Sequence, residues 1–139
     1  MEGYSKVVLD HFYNPRNVGE IADADGVGEV GNMKCGDVMY VFIRVGTRIK
    51  TKTQSPDTEA KTTEEYIEDV KFKTLGCAAA IASSSMMAEM AKGMTVEEAE
   101  KLSKDDINKA LGILPKQKYH CSILSAEGLR KAIADYKSK

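Results

Sequence analysis

The stretch KCGDVMYVFIRV, residues 34–45, decides how this chain is read. Its last eight residues, 38–45, are β-branched, aromatic or otherwise apolar apart from Arg44, which is the composition of a strand. A returning strand follows at 66–75, YIEDVKFKTL, where Ile67, Val70 and Phe72 are spaced to pack if a bulge or an edge position adjusts the phase. The residues between are polar, rich in threonine and lysine, and contain Pro56. They read as a long hairpin connection over about 46–66. Upstream, Gly26, Gly28 and Gly31 punctuate an irregular or first-strand segment.

Helical patterns flank this β region. Tyr4, Val8 and Phe12 recur every four residues with Val7 and His11 beside them, so residues 3–13 read as a short helix. Asn14-Pro15 ends it, because the residue before proline avoids the helical region. From Cys77 the sequence CAAAIASSSMMAEMAKG has small side chains first, then Met86, Met90 and Met94 four apart, with Gly93 as a stop. Thr95 with Glu98, and Ser103 with Asp106, have capping-box spacing. They predict a helix through Leu102 and another ending near Leu111-Gly112. A last helix runs from about Cys121 to Lys137, its buried stripe formed by Ile123, Leu124, Leu129, Ala132, Ile133 and Tyr136. Strands first and helices after is an α+β order, with helices packed on one face of a small antiparallel sheet.

The chain of 139 residues reads as one domain, 1–139, able to bury a core. Its 20 basic and 21 acidic residues give a net charge of -1, so there is no electrostatic case for nucleic acid or an anionic membrane. No apolar run approaches the roughly 20 residues that span a bilayer. The N-terminus MEGYSKVVLDHF lacks the pattern of a secretory signal. The expectation is a cytoplasmic protein, or a mature organellar one.

Chemistry concentrates at the ends of these elements. Cys35 precedes a strand, Cys77 stands where a strand gives way to a helix, and Cys121 opens the last helix. A helix N-terminus favours thiolate, the form that binds metal and attacks sulfur. The three are far apart in sequence and form no CxxC pair, which argues against a zinc ribbon or a thioredoxin-type site. Each also fits a second role, as a small buried hydrophobe. Asp37 lies two residues from Cys35, on the same face of an extended backbone, with Gly36 between them leaving room for a bulky group. A solvent-facing aspartate is the alternative. His120 is either a ligand or a loop histidine in water. A direct His120–Cys121 dyad is disfavoured, because helix neighbours project about 100° apart. His11 is expected to cap or pack. Three thiolates, one carboxylate and one imidazole can supply a four-ligand zinc site. They can also supply a [2Fe–2S] site in which a harder oxygen replaces one thiolate and loosens the hold on iron.

Ordered along the chain, these residues resemble the iron–sulfur cluster assembly scaffolds of the IscU/NifU N-terminal family. The likeness is carried by YSKVVLDHFYNPRNVG (4–19), GNMKCGDVM (31–39), FKTLGCAAAIASSS (72–85), KGMTVEEA (92–99) and HCSILSAEGLRKAIADYKSK (120–139). It implies a three-stranded antiparallel sheet with helices packed on it. It implies that Cys35, Cys77, Cys121 and Asp37 hold a [2Fe–2S] cluster, and that Cys121 accepts persulfide sulfur from a cysteine desulfurase. His120 resembles the family histidine that swaps into the site, notably with Zn2+, and Tyr4 a tyrosine tied to persulfide reduction or dimer contacts. Implied partners are the desulfurase, donors of Fe2+ and electrons (ferredoxin-like, frataxin-like), and apo iron–sulfur proteins, with a homodimer or higher oligomer as a further form. The family's LPPVK stretch is here Leu114, Pro115, Lys116, Gln117 and Lys118, without the second proline and the valine, which argues against docking of a dedicated Hsp70-type chaperone. The functional expectation is an assembly scaffold rather than a classical enzyme. A zinc-bound sulfurtransferase partner of the desulfurase is the alternative, and a structural zinc module stands behind it.

Overall fold

The computed structural model describes residues 5–32, 37–49, 63–75, 78–112 and 119–139, with backbone alone at 32, 37, 119 and 120. Cys35, Cys77, Tyr4, the 114–118 stretch and the middle of the hairpin connection lie outside the described residues. Strands β1 (Gly26–Asn32), β2 (Asp37–Ile49) and β3 (Thr63–Leu75) form a three-stranded antiparallel sheet in the order β1-β2-β3. Helices α1 (Lys6–Tyr13), α2 (Ala78–Ala91), α3 (Val96–Glu100), α4 (Lys104–Leu111) and α5 (Tyr119–Lys137) complete the described elements. The expected α+β class and the three-stranded sheet are both present.

Alternation places Val30, Met39, Val41, Ile43, Val70 and Phe72 on the buried face of the sheet. There α5 packs on β1 and β2, and α2 packs on β3. A bulge at Arg44/Val45 shifts the register, so that Ile67 also reaches the core. The N–H of Val45 at the bulge donates to the Asp25 carboxylate at 2.7 Å. The outer edge of β3 is occupied rather than open. Phe72 pairs with the chain at Asn17 and Gly19, and Ile67 pairs with Gly93 and Met94. Gly93 manages this with φ +93°, a conformation that suits glycine.

Several boundaries differ from expectation. The helix expected over 3–13 begins at Lys6, because the Ser5 side chain accepts the Val8 N–H as its N-cap. The hairpin strands are longer than expected, since residues 46–49 and 63–66 are paired strand rather than connection. Both capping boxes form as their spacing predicts, but the first helix they cap ends at Glu100 instead of Leu102. In α2 the fully buried methionine is Met87. Met86, Met90 and Met94 are only partly buried against the core. The deepest face of α2 is instead alanine and serine: Ala79, Ala80, Ala82, Ser83, Ser84 and Ser85. Helix α5 begins two residues before Cys121 and ends at Lys137 as expected. Among the described residues no helix is long and apolar enough to cross a membrane.

Candidate functional site

The start of β2, the end of β3 and the beginnings of α2 and α5 meet at one end of the sheet. Asp37 opens β2 and pairs with Asn32, the last residue of β1. Val38 pairs with Leu75, the last residue of β3, and the Thr74 hydroxyl donates to the Val38 carbonyl at 2.8 Å. Leu75 is 75% exposed, so the sheet ends in solvent here. Cys77 is joined covalently to Ala78, the first residue of α2, and Cys35 stands two residues before Asp37 in the chain.

Helix α5 brings its first turn to the same place. His120 and Cys121 are its second and third residues. Cys121 is fully buried. Its carbonyl oxygen accepts from the Ser125 hydroxyl at 3.0 Å, one turn along, and from the Ser83 hydroxyl of α2 at 3.3 Å. Ser84 donates to the Ala80 carbonyl at 2.7 Å and lies 3.3 Å from the sulfur of Met39, two residues after Asp37 on β2. Ser122 holds the outer side of the turn by donating to Asn108 of α4 at 2.6 Å. The structure thus sets Cys121 against Ser83 of α2, with the neighbouring Ser84 meeting Met39 near the start of β2. The side chains of Asp37 and His120, and all of Cys35 and Cys77, lie outside the described residues. Among the described residues no group of three or more His, Cys, Asp or Glu side chains is placed to hold a metal ion.

His11 packs, as its place on a helix suggests. It is 7% exposed, with Nδ1 2.7 Å from the Ser85 hydroxyl, whose oxygen accepts the Arg16 N–H at 2.9 Å. Burial lowers the imidazole pKa below its usual range, and the nearby Arg16 charge lowers it further. Arg16 also bonds Asp10 at 2.7 Å, and that bond holds the Asp10 carboxyl below the usual carboxylate range.

The buried hydroxyls around Cys121 are what the sequence reading missed. Their signal was present: three serines in a row, Ser83–Ser85, sit in a helix whose other residues are apolar except Glu89, too many to share one polar face. Serines that cannot face water must bond inside the protein.

A profile of the family described as "NifU-like N terminal domain" matches residues 3–55 and 57–139. The chain is 56% identical over 133 residues to "Iron-sulfur cluster assembly scaffold protein IscU 1" of Archaeoglobus fulgidus, covering 96% of this chain and 76% of that protein. It is 45% identical over 139 residues to "Iron-sulfur cluster assembly scaffold protein IscU" of Escherichia coli strain K12, covering 98% and 95%. Among solved structures, a NifU-like N-terminal protein from Brucella abortus superposes with a TM-score of 0.69 at 20% identity, covering 97% of this chain and 94% of that one. At that identity the superposition speaks for the fold alone.

Proposed function

Because the chain belongs to the family of NifU-like N-terminal domains, we propose that it is a scaffold on which iron–sulfur clusters are assembled and from which they pass to other proteins. It is a scaffold rather than a classical enzyme. One observation carries the reading: identity of 56% to a named scaffold runs through a chain in which Cys35, Asp37, Cys77, His120 and Cys121 stand in order. The convergence of β2, β3, α2 and α5 at one end of the sheet supports treating these residues as one site.

The roles follow from donor chemistry. Cys121 accepts the outer sulfur of a desulfurase persulfide. Its thiolate attacks that sulfur, the new S–S bond forms on Cys121, and the desulfurase thiolate leaves. Two electrons from a reducing partner then cleave this bond to give sulfide and regenerate the thiolate. Fe2+ and sulfide are the substrates. Cys35, Cys77, Cys121 and Asp37 are the proposed ligands of a [2Fe–2S] product, and His120 is the side chain able to exchange with one of them. A carboxylate oxygen is harder than a thiolate and holds iron less firmly, so Asp37 makes one corner releasable. Apo iron–sulfur proteins are the proposed recipients.

Anaerobic incubation with Fe3+ and sulfide is expected to give thiolate-to-iron charge-transfer absorption with two irons and two sulfides per chain. Asp37→Ala is expected to slow loss of the cluster to a chelator several-fold. If that variant holds no cluster while the unaltered chain does, Asp37 is required for binding and the releasable corner is wrong. Bound zinc with no cluster after reconstitution would overturn the scaffold reading.

A further inference from the structure

Two hydroxyls beside Cys121 take no part in the roles above. Helix α2 is buried around most of its circumference, and its serines divide between its neighbours. Ser85 turns to α1, while Ser83 turns to α5. The Ser83 oxygen lies 3.2 Å from the Ala80 carbonyl of its own helix and 3.3 Å from the Cys121 carbonyl across the interface. A serine hydroxyl carries one proton, so it donates to one of the two at a time. Ser125 faces the same choice, with Cys121 O at 3.0 Å in its own helix and the Ser83 hydroxyl at 3.1 Å in the other.

A buried hydroxyl left unpaired costs about 1–3 kcal/mol, which is why polar contacts usually lock a core. Here each hydroxyl that bonds across the interface has a carbonyl of its own helix to return to. We propose that Ser83 and Ser125 form a latch between α2 and the first turn of α5: they keep Cys121 covered and let that turn part from α2 with neither of these two hydroxyls left unpaired. On release the Ser83 proton passes from the Cys121 carbonyl to the Ala80 carbonyl, and Ser125 keeps its bond within α5. The latch rests on the scaffold reading, which supplies the reason to uncover Cys121, since a fully buried thiol is out of reach of another protein's persulfide.

The test is the rate of iodoacetamide alkylation of the full chain without iron or sulfide, read separately at each cysteine by peptide mass mapping. Ser83→Ala is expected to raise the rate at Cys121 about three- to fivefold, because it removes the bond across the interface from the closed state and only the weaker back-bond to a carbonyl of its own helix from the open one. The rates at Cys35 and Cys77 and the urea midpoint should change little. Ser85→Ala removes a hydroxyl of the same helix that faces His11 and Arg16 on the α1 side, and should leave the rate at Cys121 unchanged relative to Cys35 and Cys77. A rate within twofold of the unaltered chain in Ser83→Ala overturns the latch. So does a rise shared by all three cysteines with a lowered midpoint, which is general loosening. If Ser83→Ala does not fold, Ser125→Ala removes the second bond across the interface, from Ser125 to the Ser83 hydroxyl, with a rise expected at Cys121 and the same overturning results. Failure of cluster assembly would sink the scaffold reading and leave the alkylation result standing.

Discussion

The two ends of α5 are held by opposite means. Its first turns meet α2 through hydroxyls that have a second acceptor within reach. Its later turns meet β1 backbone to backbone. A Cβ on Gly28 would collide with the carbonyl oxygen of Gly128 and stand 2.6 Å from the Ala132 nitrogen, and one on Gly26 would collide with the Ala132 carbonyl. Hydrogen bonds can change partners at little cost, but excluded volume cannot be exchanged for anything. One helix therefore combines a yielding end with an unyielding one, and the yielding end carries the cysteine.

Gly28→Ala presses hardest on this contrast. The added methyl meets backbone on α5, which cannot rotate away, so a loss on the order of 3 kcal/mol or failure to fold is expected in a urea titration. A loss below about 1 kcal/mol would mean that the β1 end yields as readily as the other. Asp135→Ala sharpens the same end more gently. It removes the carboxylate that accepts the Val27 N–H at 2.9 Å, an exposed bond, and about 0.5–1 kcal/mol is expected from the same titration. The smallest effect is expected on the far side of α2, where Ser85 meets His11. The folded pKa of His11 is lowered, so the unfolded chain takes up a proton that the folded chain refuses. The folded state is then at its full stability above the unfolded value of about 6.5. Stability falls as pH drops below it and levels off under the folded pKa. Urea midpoints from pH 7.5 to 5 should show this decline, and His11→Gln should flatten it. An unchanged slope would remove His11 from the account.

These regions were not equally legible. The buried centre of the hairpin, 38–45 and 66–75, announced itself through β-branched and aromatic side chains. Its outer part, Gly46–Ile49 and Thr63–Glu65, did not, because there the strands pair without burial. Ile49 is exposed, and the ribbon is held by its ladder, by Arg48 with Glu64 at 3.7 Å and by Arg48 lying over the Tyr66 ring. Strand β1 read as either irregular or a first strand, for a related reason. Gly26 and Gly28 are poor strand formers, yet only glycine admits α5 so close. At the candidate site, the order of cysteine, aspartate and histidine was plain, and so was the capping logic that starts α3 and α4. The environment of Cys121 was not, since intervals of 42 and 44 residues between the cysteines say nothing of which hydroxyls will surround one of them.

The seat of Gly128 against β1 has a mechanical consequence. Cys121 lies seven residues upstream of it, a lever arm of about 10 Å at 1.5 Å per residue. With Gly128 and Ala132 fixed as the fulcrum, the tip can swing but the helix cannot slide along its axis. A tilt of about 10° would carry Cys121 by roughly 2 Å while Lys137, beyond the pivot and paired with Glu100, moves the opposite way. Events at the cysteine would then be felt at the far end of the same rod.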